Sequence, residues 1–432
     1  MQRSTIDHIE TVILGAGLAG LSAAYHGGGV VFEKEGEIGG TCRSLRQGGY
    51  VFDQGIHVLH TSNNYVLDLL SRDKGLGLRR KRRSAWIYSY RTITKYPFQV
   101  NTFGLPGKVR NECLTGFMGA QDKSEGDYDN YRDWVYATFG RGIAENFYLP
   151  YSEKFWTVKA KELTTDWLGV RVPRPQLKDV LRGAFSIQKK EFGPNALFRY
   201  PRHKGIQAVA EAMIREESRV SLCSEAVKIE LDKKKVHFRG GRAVSYDRLI
   251  STLPLPELLK IIGKVPDPVK QSFRGLRHNS VLCVNLGIKR ENLTPMHWLY
   301  FPEDKFAAFR VSFPANFSRS TVPDKWSSVQ AEISYSGSRP IKHRDIVAKV
   351  IKDLAKAGVI KPRDRVKFIN THDIKYAYVI YDHSRRKNLR SIGSFLKKSG
   401  IYNAGRYGRW EYQWMDDAIL DGRRASREAG RR

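Results

Sequence analysis

Residues 11 to 25 constrain the fold more than any other stretch of the chain. Thr11-Val12-Ile13-Leu14 is β-prone and runs directly into Gly15-Ala16-Gly17-Leu18-Ala19-Gly20. Leu21-Ser22-Ala23-Ala24-Tyr25 follows with mostly helix-favouring residues. Strand, glycine turn and helix in that order form the context that makes G-x-G-x-x-G a dinucleotide-binding signature. The three glycines differ in what they permit. Gly15 makes the tight turn, Gly17 lets a pyrophosphate approach the backbone, and Gly20 lets helix and strand pack closely. The pyrophosphate then sits on the helix N-terminus, where free N–H groups and the dipole favour negative charge. A second strand, Val30-Val31-Phe32, ends at Glu33, an acid placed to accept ribose hydroxyls.

The next segment narrows the dinucleotide. Gly39-Gly40-Thr41-Cys42-Arg43-Ser44 is a second glycine turn carrying an arginine. NAD sites do not need this element, and it resembles the second glycine motif of FAD-dependent amine oxidases. Leu18, Ala19, Lys34, Arg43 and Ser44 complete the set expected to hold FAD at this end. Glu33 lies 13 residues past Gly20, against about 20 in the usual pattern. Gly27-Gly28-Gly29 fills the gap, which predicts a short helix and a loosened adenosine end.

The chain has 432 residues, enough for two or three domains. The expected fold class is α/β: a Rossmann-type FAD-binding domain assembled from discontinuous segments, with an inserted helical domain and an antiparallel-sheet substrate domain. The segments read as 1–80, 191–260 and 391–432 for FAD binding, 81–190 for the mainly helical insertion, and 261–390 for the sheet-rich substrate domain. Cys42, Cys113, Cys223 and Cys283 lie far apart without a C-x-x-C pair, so no disulfide framework and no metal site is expected. With no signal-peptide layout and no long apolar run beyond the glycine motif, a cytoplasmic protein without a transmembrane segment is expected. The net charge of +30 concentrates in Arg79 to Arg83, in Arg385-Arg386-Lys387, and in the tail. It reads mainly as a solvated basic surface and is compatible with nucleic acid, anionic membrane or sugar nucleotides as partners.

A set of segments spread over the chain resembles UDP-galactopyranose mutase. Gly55-Ile56-His57-Val58-Leu59-His60-Thr61 resembles the histidine loop against the isoalloxazine, and Tyr96-Pro97-Phe98-Gln99-Val100-Asn101-Thr102 the P-F-x-x-N-T segment. Tyr151 to Trp156 is similar to the Y-x-E-K-x-W that gives an aromatic wall. Arg171-Val172-Pro173-Arg174 resembles the loop carrying a diphosphate arginine, its second arginine shifted by one place. Phe309-Arg310-Val311 matches the other diphosphate arginine. Gly405-Arg406, Tyr412 and Met415 match the C-terminal flavin segment.

The resemblance implies a catalytic set of His57, Arg310, Arg174 and Tyr412. It implies substrate contacts from Trp156, Arg171, Arg174, Tyr200, Arg310, Tyr378 and Tyr412. Arginine suits a diphosphate because its fork donates two parallel hydrogen bonds. The implied reaction uses reduced FAD, whose N5 attacks the anomeric carbon of a nucleotide sugar, with no net oxidation; NAD(P)H is a candidate reductant. The last helix is expected to aim its N-terminus at the flavin pyrimidine. Two alternatives stay open: an oxidase of the amine oxidase or protoporphyrinogen oxidase type, and a basic FAD-containing protein that binds nucleic acid. The nucleotide, the sugar and homo-oligomer formation are not fixed by the sequence.

Overall fold

Asp7–Leu14 is the central strand of a seven-stranded sheet. It pairs in parallel with Val30–Phe32 on one side and Ala243–Ser251 on the other. Val30–Phe32 continues to Arg219–Ser221, while Ile401–Asn403 pairs with Leu249 to Ser251. The sheet is therefore assembled from the start, middle and end of the chain, as the sequence predicts. Its strands are covered on both faces, which is why Val12, Ile13, Leu249 and Ile250 are all apolar and no more than 1% exposed. A meander of Ala226–Glu230 and Lys235–Phe238 extends one edge in antiparallel fashion. The computed structural model describes residues 7–72, 75–121, 126, 128–169, 172, 174–188, 190–193 and 196–430.

The first helix, Leu18–Gly27, has only 10 residues. Gly28 and Gly29 then reverse the chain at positive φ, and a Cβ on Gly29 would lie 2.6 Å from the Thr11 carbonyl oxygen. The short spacing to Glu33 is thus met by a short helix and a glycine-only reversal. The terminal helix, Met415–Gly430, packs along Leu18–Gly27, where Ser22 Oγ donates to the Ile419 carbonyl at 2.5 Å.

A second seven-stranded sheet runs Val366–Val379, His278–Ile288, Ser327–Tyr335, Arg310–Ser312, Trp298–Tyr300, Ala85–Ser89, Thr92–Lys95. Its pairings are antiparallel except Trp298–Tyr300 with Ala85–Ser89. Residues 81–190 thus carry α-helix only from Gly107 onward, because the hairpin at 85–95 joins this sheet and Phe98–Val100 forms just a short 3-10 turn. Tyr131–Ile143 starts at Asn130, whose side chain accepts from Asp133 N at 3.1 Å. It passes through a π-helical turn, Ala144–Tyr148, into Leu149–Trp156. Wide turns of this kind redirect side chains, and here Tyr148, Tyr151, Phe155 and Trp156 all reach one cavity.

The basic runs are not uniformly solvated. Arg79–Arg82 is a strand paired with Leu197–Tyr200, and Arg83 after it is only 6% exposed. Arg385 is also buried, donating from Nε to the Trp410 carbonyl at 3.0 Å and lying 3.9 Å over the Tyr381 ring.

Candidate functional site

A cavity of ≈ 1060 Å³ extends from the first glycine turn to the second sheet. At one end its wall is backbone. A Cβ on Gly20 would lie 1.9 Å from the Gly15 carbonyl oxygen, so the helix can close on the turn only with glycine there. The second glycine turn lies directly on the first: Gly39 N donates to the Ala16 carbonyl at 2.8 Å, and a Cβ on Gly40 would lie 3.0 Å from Gly17 Cα. Gly17 itself has nothing nearer than 3.8 Å to an added Cβ, leaving an open cradle at the helix start beside Leu18 and Ala19.

Glu33 lines this end and is 7% exposed. Its carboxylate, expected to accept ribose hydroxyls, accepts from Ala16 N at 2.7 Å and Glu35 N at 3.0 Å and so also braces the glycine turn. Lys34 is largely exposed, 3.4 Å from Glu35. Arg43 also pairs with Glu35, at 3.2 Å, and turning the Gln54 amide oxygen toward it adds contacts at 3.1 and 3.2 Å. Ser44 and Tyr200 do not line the cavity. Ser44 Oγ and Tyr200 Oη each donate to Asp53 at 2.7 Å, and Ile206 N adds a third bond. Burial pushes the Asp53 carboxyl up to about 6. Tyr200, 1% exposed, is therefore corrected from a substrate contact to a support of the hairpin beneath the site. Ser44 is corrected in the same way, from cofactor contact to support.

The opposite wall is made of side chains from distant segments. Arg310 donates from Nε and Nη2 to the two carboxylate oxygens of Glu332, the latter at 2.8 Å, while Nη1 has no acceptor among the described residues. The pair is cross-strand, since Arg310 and Glu332 are in register on adjacent strands. Glu332 also accepts from Ile56 N at 3.2 Å, tying the histidine loop to the arginine. His57 Nδ1 donates to the Gly55 carbonyl at 3.3 Å, which leaves Nε2 as an acceptor. Burial first, then Arg406, pushes its imidazole down to about 4, so it is neutral at pH 7.

Arg406 lies 4.9 Å over the Tyr412 ring and 5.0 Å over Tyr378, and donates to the Ala377 carbonyl at 2.8 Å. Its Nε is buried without a partner. Trp156 meets Tyr378 and Tyr412 edge to face at 5.9 and 5.8 Å. Gly405 N is held by Asp421 at 2.7 Å, and Met415, 8% exposed, lines the cavity beside it. The terminal helix does not present a bare positive end, because Asp416 and Asp417 occupy its first turn and Asp417 accepts from Trp414 N at 2.9 Å.

Arg174 is exposed, with its guanidinium 5.5 Å over the Trp134 ring, and does not line the cavity; that corrects its expected catalytic place. Arg171 lies outside the described residues. Glu332, Arg83, Tyr96, Tyr300 and Trp298 are among the cavity residues that the sequence reading does not name as site residues. Among the described residues no group of three or more His, Cys, Asp or Glu could hold a metal ion. No helix among them is long and apolar enough to cross a membrane.

The glycine cradle, Glu33 and the unpartnered Arg406 Nε fit an extended dinucleotide and define a Rossmann-type flavoprotein. The chain belongs to the flavin containing amine oxidoreductase family, whose model matches residues 18–429, and its cofactor is FAD. Its fold is similar to that of reduced UDP-galactopyranose mutase, with a TM-score of 0.91 at 27% identity over 97% of this chain and 94% of that one. A putative protoporphyrinogen oxidase from Exiguobacterium sp. superposes with a TM-score of 0.75 at 14% identity, covering 99% and 100% of the two chains. Putrescine oxidase bound to putrescine gives 0.68 at 17% identity, covering 98% and 99%. In sequence, mitochondrial protoporphyrinogen oxidase of Nicotiana tabacum is 42% identical over 79 residues, which is 17% of this chain and 15% of that relative.

Proposed function

We propose that the protein is a cytoplasmic, flavin-dependent nucleotide-sugar mutase that interconverts pyranose and furanose forms. The observation that carries this reading is the wall formed by Arg310, Tyr378, Tyr412 and Trp156, joined through Glu332 to the histidine loop, along a cavity in a UDP-galactopyranose mutase-like fold. When bound and reduced, FAD supplies a nucleophilic N5 to the anomeric carbon. The chain's own residues do the rest. Glu332 fixes the plane of Arg310 bidentately, leaving Nη1 for a diphosphate oxygen. Tyr378 and Tyr412 offer hydroxyl donors, and Trp156 supplies an apolar wall that excludes water. Neutral His57 accepts a hydrogen bond from a sugar hydroxyl at Nε2 and so holds the sugar. Charge developing on the leaving diphosphate is met by donors already in place, which is where such sites gain most.

A protonated amine is a poor occupant, since Arg43, Arg83, Arg310 and Arg406 all line the same space. A protoporphyrinogen-type oxidase remains the second reading, favoured by the 42% identity to the tobacco enzyme segment. The test is chromatography after incubating dithionite-reduced protein with UDP-, GDP- and dTDP-sugars. An isomeric nucleotide sugar of unchanged mass supports the mutase; its absence with every sugar removes that reading.

A further inference from the structure

Of the buried arginines in the cavity, Arg83 is the one the proposed reaction does not use. Its side chain is 3% exposed. Nη2 donates to the Phe192 carbonyl at 2.9 Å, and the guanidinium lies 4.9 Å from the Tyr96 ring centre. The nearest carboxylate oxygen, Glu191 Oε2, is 3.9 Å away, and the other oxygen of Glu191 is taken by Lys95 at 3.0 Å. Two cations thus share one carboxylate. Arg310, by contrast, shares Glu332 with no other cation among the described residues. A buried guanidinium without full compensation is costly unless an anion completes the site.

A second donor waits beside it. Trp298 is 4% exposed, lines the cavity, and has its Nε1 buried without a hydrogen bond. Tyr96, which lies under Arg83, meets the Tyr300 ring at 5.1 Å, and Trp298 and Tyr300, two apart on one strand, share a face of the sheet. Arg83 and Arg310 also both act on His60, whose Nδ1 donates to the Leu197 carbonyl at 3.2 Å. Arg83, Trp298 and Tyr300 therefore line one part of the cavity, beside Tyr96.

We infer that Arg83, Trp298 Nε1 and Tyr300 form a second anion subsite, which takes a carboxylate carried by the sugar itself. The substrate class is then a nucleotide-linked acidic sugar, a uronate rather than a neutral hexose. This rests on the nucleotide-sugar reading above. The planar guanidinium suits a planar carboxylate, and the aromatic surround makes that contact strong by excluding water.

The test is equilibrium binding to the FAD-loaded, reduced protein. UDP-galacturonate and UDP-galactose are compared in wild type, Arg83→Gln and Arg83→Lys, with UDP, GDP and dTDP alone as controls. If another base binds better than uridine, it replaces uridine in the acidic and neutral pair. Wild type should prefer the acidic sugar by about tenfold or more. Arg83→Gln should bring that ratio near one, and Arg83→Lys should restore part of it. FAD content and melting temperature report whether each variant folds, and the wild-type ratio decides the matter if neither does. Equal affinity for both sugars in wild type overturns the inference. So does an Arg83→Gln variant that shifts the flavin reduction potential with the sugar preference intact, since Arg83 would then serve the cofactor. If no nucleoside diphosphate binds at all, the function proposed above fails instead.

Discussion

The two ends of the cavity are built by different means. The glycine-turn end is a backbone surface: Gly17, Gly20, Gly39 and Gly40 bring main chain against main chain, and Glu33 braces it through two amides. The opposite end is a side-chain surface drawn from the histidine loop, Leu149–Trp156, Arg310–Ser312, Val366–Val379 and the segment after Gly405. A backbone surface can be broken only by adding atoms, and it admits one kind of ligand group. A side-chain surface is retuned by single replacements. On the proposed function, FAD meets the backbone end and the substrate meets the side-chain end, which single replacements can adapt to other chemistry.

The largest effect expected is at the backbone end. Gly20→Ala places a methyl 1.9 Å from the Gly15 carbonyl oxygen and should abolish FAD retention with loss of folded protein. Gly17→Ala has 3.8 Å of room in the protein itself, so the fold should survive. FAD affinity should still fall roughly tenfold or more, about 1.4 kcal/mol, as the methyl enters the cradle. Flavin absorbance and melting curves separate the two, and a Gly17→Ala protein that keeps full FAD affinity would break the backbone half of the comparison.

At the side-chain end the pair at Arg310 should respond asymmetrically. Glu332→Ala strands a buried guanidinium and should cost about 3–5 kcal/mol of stability. Arg310→Ala should weaken nucleoside diphosphate binding by about 1.5–3 kcal/mol without releasing flavin. Calorimetry of both variants checks this; flavin loss from Arg310→Ala, or unchanged affinity for every nucleoside diphosphate, would remove Arg310 from the proposed role.

The smallest effect is in pH. His57, His60 and His297 are each pushed down to about 4, first by burial. Between about 4 and 6.5 the unfolded chain binds more protons than the folded one, so stability complete above 6.5 falls away as pH drops toward 4. His57→Gln should flatten part of that slope. Wild-type kcat/KM should show no inflection near pH 6.5 from this imidazole, because it is already neutral there; an inflection that disappears in His57→Gln would contradict the assigned state.

Legibility in the sequence followed the same division. The strand, turn and helix at 11–25, the second glycine turn and the short helix were readable because they are local and written in glycine. The Arg310–Glu332 pair was not, since it depends on strand register across 22 residues. Arg83 looked like one more charge in a basic run, and only pairing of Arg79–Arg82 with Leu197–Tyr200 carries the chain inward after it. Tyr200 misled for the converse reason: a tyrosine has the right chemistry for a diphosphate, but Asp53 claims its hydroxyl. Val366–Val379 was also silent, because its half-buried, polar-rich pattern lacks the clean apolar alternation of a strand.

The central claim, a mutase rather than an oxidase, turns on what happens to electrons. The decisive measurement is the peroxide released and reductant consumed per nucleotide sugar converted, under limiting oxygen and with FAD-loaded protein. A mutase converts its substrate only after reduction, with many turnovers for each reducing equivalent and no peroxide in proportion to product. One peroxide per two-electron oxidation of a substrate, with oxidised protein active from the start and no nucleotide sugar converted, would contradict it.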